Sequence, residues 1–222
     1  MQIRPESTVG SVATAHPLAT RVFSRHGIDF CCGGGRSLAD ACAKGGANLD
    51  AVLSELDREL SQEEADIRWD LQPLTALISH LLEDFHKPLR EELPRLLAMA
   101  HKVVRVHGDK DPETLGGVLD TLIALEAELM PHMEKEELIL FPMIASGQGE
   151  MAGGPVSVME SEHDVAGDLL RKMSALTQGY TVPEAACNTW RALWVGLEAF
   201  ENDLHQHIHL ENNILFPRAL QG

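Results

Sequence analysis

Two stretches of this chain, HMEKEELILFP from His132 to Pro142 and HIHLENNILFP from His207 to Pro217, share a His-x-x-x-Glu spacing followed at a fixed distance by Leu-Phe-Pro. The offset is 75 residues both for the histidines (132 to 207) and for the glutamates (136 to 211), so chemistry and register repeat together. Such a repeat reads as two related helical hairpins. In an α-helix a side chain four positions on lies almost directly over the first. His132 with Glu136, and His207 with Glu211, can therefore each point at one spot. Imidazole suits iron or zinc, and a carboxylate can bridge two cations with its two oxygens, which is how helical bundles hold paired iron or manganese.

Further nitrogen ligands must come from neighbouring helices. His163, in VMESEHD, is the only histidine of its segment, whereas His80, His86, His101 and His107 compete on an earlier one. Depth separates them. With a turn near Gly108 to Pro112, His132 sits about 27–33 Å below that turn and His86 about 31 Å below it, at 1.5 Å per residue. His107 belongs at the opposite end, and is a ligand only if prolines break the helix so far that its second part folds back. A lone helical histidine is more often a surface or hydrogen-bonded core residue, and His-x-x-x-Glu is also an ordinary surface pair; the duplication tips the reading to a metal site. Leu140, Phe141, Leu215, Phe216, Phe85, Trp190 and Trp194 are expected in the core, where an apolar wall governs how much water reaches the metal. Glu128 and Glu162 are candidates for moving protons near it, with surface solvation as their blander role.

The elements that position these residues are four amphipathic segments: 73–107, 112–145, 155–176 and 183–219. Each begins at or near a proline, tolerated in a first helical turn, and no run alternates as a half-buried strand does. The expected architecture is all-α, an antiparallel four-helix bundle over 73–222. Pro88, Pro94 and Pro131 fall inside the pattern and are expected to kink or locally break the helices. Ahead of it, apolar residues at short helical spacings, broken by His16-Pro17 and glycine clusters, give a small N-terminal helical domain over 1–60. The polar stretch 61–72 reads as a linker.

Composition narrows the partners. The 222 residues carry 34 acidic against 18 basic side chains, a net charge of −16, which repels a phosphate backbone, so nucleic acid is not expected. No stretch approaches the roughly 20 apolar residues that span a bilayer, and the first residues lack a signal-peptide core. The expected location is the cytoplasm, away from membranes, where four cysteines are free thiols or ligands.

Cys31 and Cys32 adjoin three glycines in GIDFCCGGGRSL. Ser37 is a candidate N-cap for a following helix, and a cysteine near such a terminus, with Arg36 close by, is expected to have a lowered pKa. Adjacent cysteines lack the C-x-x-C spacing of a standing zinc site, so no stable metal site of their own is expected. The blander reading is two small buried residues beside a glycine turn. Cys42 and Cys187 are isolated and read as structural.

The order His86, His132-x-x-x-Glu136, His163, His207-x-x-x-Glu211 resembles a hemerythrin-like domain. DFCCGG before it is similar to the N-terminal ScdA-type double-cysteine domain of the iron-sulfur cluster repair (RIC) family, and EELILFPMI, VMESEHD and LENNILFPRAL extend the likeness over nearly the whole chain. The resemblance implies two non-haem iron ions bridged by an oxo or hydroxo oxygen, with His86, His132, His163 and His207 as terminal ligands and Glu136 and Glu211 as bridges. It also implies repair of clusters damaged by nitric oxide or oxidants, through nitric oxide binding or reduction or through iron donation. Nitric oxide or oxygen would be the small ligands and damaged iron-sulfur proteins the partners, and a homodimer is compatible. On this reading Cys31 and Cys32 exchange iron or a nitrosyl group with the damaged cluster. The rivals are a hemerythrin-like oxygen or nitric oxide sensor or carrier without turnover, against which the thiol domain argues, and a purely structural bundle.

Overall fold

The computed structural model describes residues 3–60 and 67–222, so 61–66 of the expected linker lie outside the described residues. The protein is all-α, with a helical bundle; besides helices the described residues form one isolated bridge, between Thr8 and Ser37. The chain divides into two compact units, one of Met1–Ile78, Ile144–Gly153 and His205–Gly222, the other of Ser79–Met143 and Gly154–Leu204.

The first unit opens with α1 (Val9–Ala15), α2 (Ala19–Arg25), α3 (Leu38–Gly45) and α4 (Leu49–Leu60). None is long enough to be stable alone, so packing and caps must hold them. The Thr8 hydroxyl accepts from the Ser11 amide at 3.3 Å, and Ser37, the expected N-cap, accepts from the Asp40 amide at 3.1 Å. The two caps are tied together, Val9 N donating to Arg36 O and Leu38 N to Ser7 O, both at 2.9 Å. That pairing folds the Cys31–Gly35 segment into a loop over a core of Val9, Val12, Phe23, Phe30, Leu38 and Leu56. A short 3-10 turn, Trp69–Leu71, follows, its Trp69 carbonyl accepting from Arg218 at 3.0 Å.

Long helices make the second unit, although their residues 74–78, 144–153 and 205–222 are counted with the first. The first runs from α5 (Leu74–His80) through a π-helical turn (Leu81–His86) into α6 (Lys87–His107). The second is α7 (Pro112–Lys135), a π turn (Glu136–Leu140) and α8 (Phe141–Ala145). After a 3-10 turn (Gly149–Met151) come α9 (Gly153–Leu176), α10 (Asn188–Leu210), a π turn (Glu211–Leu215) and α11 (Phe216–Ala219). In α7 the buried positions 115, 118, 122, 125, 129 and 133 recur at three- and four-residue steps, one stripe facing a core. Residue pairings fix the direction: His86 meets Glu137, His132 meets His163 while Gly117 faces Leu176, and His107 lies on Trp190. Each helix therefore runs antiparallel to its neighbour. A Cβ on Gly196 would stand 2.7 Å from a Leu96 methyl, so glycine permits the close approach of α6 and α10.

The prolines act differently from the expectation. Helices α6 and α7 run through Pro94 and Pro131 without interruption. Pro88, Pro142 and Pro217 each sit two residues past the end of a π turn, whose last bond spans five residues: Lys87 N to Leu82 O, Phe141 N to Glu136 O, Phe216 N to Glu211 O. A proline has no N–H to offer the next carbonyl, so the widened turn falls where the α ladder is already short of a donor. The turns at 136–140 and 211–215 keep the 75-residue register of the sequence repeat, and π turns concentrate at functional sites. Leu140, Phe141, Leu215 and Phe216 are buried, as are Trp190 and Trp194, but Phe85 is only half-buried, edge-on to His80 at 5.2 Å. No helix among the described residues is long and apolar enough to cross a membrane.

Candidate metal centre and thiol segment

In the second unit, four expected ligands converge on the π turn of the second long helix. The Glu136 side chain is 0% exposed, and its Oε2 lies 3.4 Å from Nε2 of both His86 and His132. Each imidazole is aimed from its other nitrogen: His86 Nδ1 is 2.8 Å from Glu137 Oε1, and His132 Nδ1 is 2.9 Å from Glu162 Oε2. An ionised carboxylate only accepts, so Nδ1 carries the proton and Nε2 keeps its lone pair toward Glu136. Arg90 holds Glu137 at 2.8 Å, and Lys135 is bonded to Glu162. Burial pushes both outer carboxyls up, but their bonds to Arg90 and His86, and to Lys135 and His132, outweigh it and hold them below the usual value. They stay ionised and keep the rings oriented.

The interior of this cluster fits a cation. Neither Glu136 oxygen has a hydrogen-bond partner among the described residues, and a buried carboxylate in that state is costly unless a cation compensates it. His163 Nε2 stands 3.1 Å from His132 Nε2. Two nitrogens bound tetrahedrally to one metal at 2.0–2.1 Å would be separated by about 3.3 Å. The first unit carries the repeat of the motif: His207 Nε2 is 3.0 Å from Glu211 Oε1, with side chains 2% and 0% exposed. The donor set is thus nitrogen and oxygen, suited to iron or zinc.

The remaining histidines go elsewhere. His80 pairs with Asp84 at 2.6 Å, His101 is exposed, and His107 stacks on Trp190 with ring centres 5.5 Å apart, at the opposite end from His86 on the same helix. Glu128 is exposed, while Glu162 braces His132. Glu137 escaped the sequence reading altogether. Its only signal was an acidic residue directly after Glu136, about 100° around the helix, which points it outward past His86.

The thiol segment corrects an expectation. The helix α3 begins at Leu38, six residues beyond Cys32, and Arg36 is exposed, so neither helix terminus nor guanidinium reaches the sulfurs. The neighbours are Asp29 Oδ1, 3.4 Å from Cys31 Sγ, and Cys32 Sγ, 3.8 Å from it. The bond to Cys32, with burial next, pushes the Cys31 thiol well above the ordinary cysteine value instead of lowering it. Asp29 moves the other way. Burial raises it, but amide donation from Gly33 at 2.9 Å and Cys32 at 3.0 Å, with the Cys31 thiol, keeps its carboxyl below the usual range. Cys42 packs in the core as expected; Cys187 is exposed and has no core role.

Asn213, two residues past Glu211, ties this segment to the π turn. Its amide nitrogen donates to Cys31 O at 3.1 Å and Phe30 O at 3.3 Å. Its counterpart in the earlier repeat, Leu138, is 75% exposed, so the two copies diverge where the second serves the cysteines. His209, which the sequence left unassigned, lies 5.6 Å from the Phe30 ring, and burial lowers its pKa to about 4. Cβ atoms on Gly10 or Gly34 would each stand 2.3 Å from Asn213 Oδ1, and the one on Gly34 would also stand 3.0 Å from Phe30 O. Gly34→Ala is expected to push Asn213 off both carbonyls at a cost of about 1–3 kcal/mol. Faster alkylation of Cys31 with a lowered thermal midpoint is the expected readout; an unchanged alkylation rate would show that Asn213 does not fix the loop.

A family model described as the hemerythrin HHE cation binding domain matches residues 77–219, and ScdA_N, a domain of unknown function, matches residues 5–60. The chain is 49% identical to the iron-sulfur cluster repair protein YtfE of Yersinia pseudotuberculosis serotype O:1b, over 222 residues and the full length of both. The same holds for the protein of that description from Yersinia pestis strain Pestoides F.

Proposed function

The chain belongs to the iron-sulfur cluster repair family of hemerythrin-like proteins, and on that premise we propose that it is a cytoplasmic di-iron protein that repairs iron-sulfur clusters damaged by nitrosative and oxidative stress. The observation that carries this reading is the fully buried Glu136, faced by His86 and His132 whose outer nitrogens are locked by Glu137 and Glu162. A buried carboxylate met by two lone-pair nitrogens is an arrangement that favours a cation over an empty core.

In this reading His86, His132, His163 and His207 would hold the irons together with the carboxylates of Glu136 and Glu211. The sequence repeat supports the joint assignment, because His207 and Glu211 reproduce the spacing of His132 and Glu136, each glutamate opening a π turn. Bound iron supplies redox chemistry and affinity for nitric oxide or oxygen. The protein's own residues orient the imidazoles, keep them in one tautomer and exclude water with apolar side chains such as Phe141, whose ring lies 5.6 Å from that of His86. The N-terminal segment, with Cys31 and Cys32 as exchanging thiols, works on the damaged iron-sulfur protein.

The test is iron content, anaerobic nitric oxide consumption and reactivation of a nitrosylated iron-sulfur protein, for wild type and for Glu211→Ala. Two irons per chain, with reactivation lost in the variant, are expected. Two irons with reversible oxygen binding and no reactivation would replace repair by a sensor or carrier role, and folded wild-type protein without stoichiometric iron would end the di-iron reading.

A further inference from the structure

Asp29, Cys31 and Cys32 place one carboxylate and two sulfur atoms within 4.8 Å of one another. Two of the separations, both from Cys31 Sγ, match those of a coordination polyhedron. Two sulfurs bound tetrahedrally at 2.3 Å stand about 3.8 Å apart, and a sulfur and a carboxylate oxygen bound at 2.3 and 2.1 Å stand about 3.6 Å apart. The structure has 3.8 Å between Cys31 Sγ and Cys32 Sγ and 3.4 Å between Cys31 Sγ and Asp29 Oδ1. Neither sulfur is in a disulfide.

The site is also built before any ion arrives. The amides of Cys32 and Gly33 fix the Asp29 carboxylate, at 3.0 and 2.9 Å, and Asn213 fixes the carbonyls of Phe30 and Cys31. A Cβ on Gly33 would stand 2.8 Å from the Asp29 carbonyl and 3.0 Å from Oδ2, so glycine lets the backbone close around the carboxylate. Adjacent cysteines alone make a poor site, but the residue two positions before Cys31 supplies the missing third donor.

The geometry points to a three-ligand transit site for a single divalent cation of borderline softness, formed by Asp29, Cys31 and Cys32 and distinct from the histidine–carboxylate centre. That the cargo is ferrous iron on its way to a cluster rests on the repair reading; that the site binds such a cation does not. Binding replaces water ligands of the cation with two metal–sulfur bonds and one metal–oxygen bond and releases two thiol protons to solvent, with no change of oxidation state. The metal keeps its 2+ charge against three ligand negatives. A fourth position stays open for an acceptor, which suits release better than storage.

Cobalt(II) is the probe, because thiolate ligation gives a near-ultraviolet charge-transfer band that nitrogen and oxygen ligands do not. Iron-loaded full-length protein, reduced with a phosphine and kept anaerobic, is titrated with cobalt(II) and read by difference spectra. One equivalent is expected to saturate the band. Asp29→Asn keeps an oxygen for the two amides but loses the charge, and is expected to bind at least about tenfold more weakly, the lower end of what even an outer partner of a metal ligand costs. Cys31→Ser with Cys32→Ser is expected to abolish the band while Cys42 and Cys187 remain. Absence of the band in wild type, its survival in the double serine variant, or equal affinity of Asp29→Asn and wild type would each overturn the site. Iron content in the same samples separates the two readings: a cobalt band in protein that never holds two irons would leave this site standing and remove the di-iron centre.

Discussion

Glu136→Leu is expected to abolish iron binding and at the same time raise the thermal midpoint of the metal-free chain. Glu136 is 0% exposed, and neither oxygen has a hydrogen-bond partner among the described residues. Without a cation the carboxylate is a liability, since a buried charge lacking good partners costs several kcal/mol and replacement of buried ionic groups by apolar side chains of similar volume is neutral or stabilising by about 1–4 kcal/mol. At roughly 2–4 °C per kcal/mol for a chain of this size, the metal-free variant should melt about 2–16 °C higher. The metal-loaded comparison runs the other way, because wild type gains the binding free energy of its ions and the variant does not. Calorimetry of both proteins, stripped and iron-loaded, checks the two signs together. A variant that melts lower than wild type in the stripped state would mean that Glu136 is held by protein contacts and is structural.

The legibility of this centre in the sequence has a physical limit. Ligand types and their four-residue spacing are properties of one helix, so His132 with Glu136 and His207 with Glu211 were readable, and helical rise alone brought His86 to the depth of His132. The bracing carboxylates were not, because Glu137 serves His86 across 51 positions and Glu162 serves His132 across 30, and such pairings need the register between helices. The π turns were invisible for another reason: side-chain periodicity shows which face is apolar, not whether a carbonyl bonds four or five residues on. The cysteines misled through proximity along the chain. Arg36 is close in sequence and turned to solvent, whereas Asp29 reaches the thiols in space and Asn213 reaches the Cys31 carbonyl from 182 positions away. Cys187, read as structural only because it stands alone in the sequence, is exposed.

Phe30→Ala is expected to separate the thiol chemistry from iron binding. Phe30 is 1% exposed and meets the rings of Phe23 at 6.2 Å, His205 at 6.1 Å and His209 at 5.6 Å. It joins the core of the four short N-terminal helices to the chain segment carrying His209 and Asn213, with the cysteines beginning at the next residue. Truncation of a buried phenylalanine costs about 3–5 kcal/mol, here roughly 6–20 °C of thermal midpoint. The free energy is lost where Asn213 grips the Phe30 and Cys31 carbonyls, so local opening should precede global unfolding and expose Cys31. The expected result is alkylation of Cys31 faster by tenfold or more, near-normal iron content and loss of cluster repair, with Phe30→Leu restoring most of the midpoint and of the protection. If the midpoint falls while Cys31 stays as protected as in wild type, then the Asp29 amide bonds and Asn213 hold the loop without the ring. Phe30 would in that case serve the core of α1–α4 alone, and the coupling between that core and the thiols would have to run through the backbone pairing of Thr8 with Ser37.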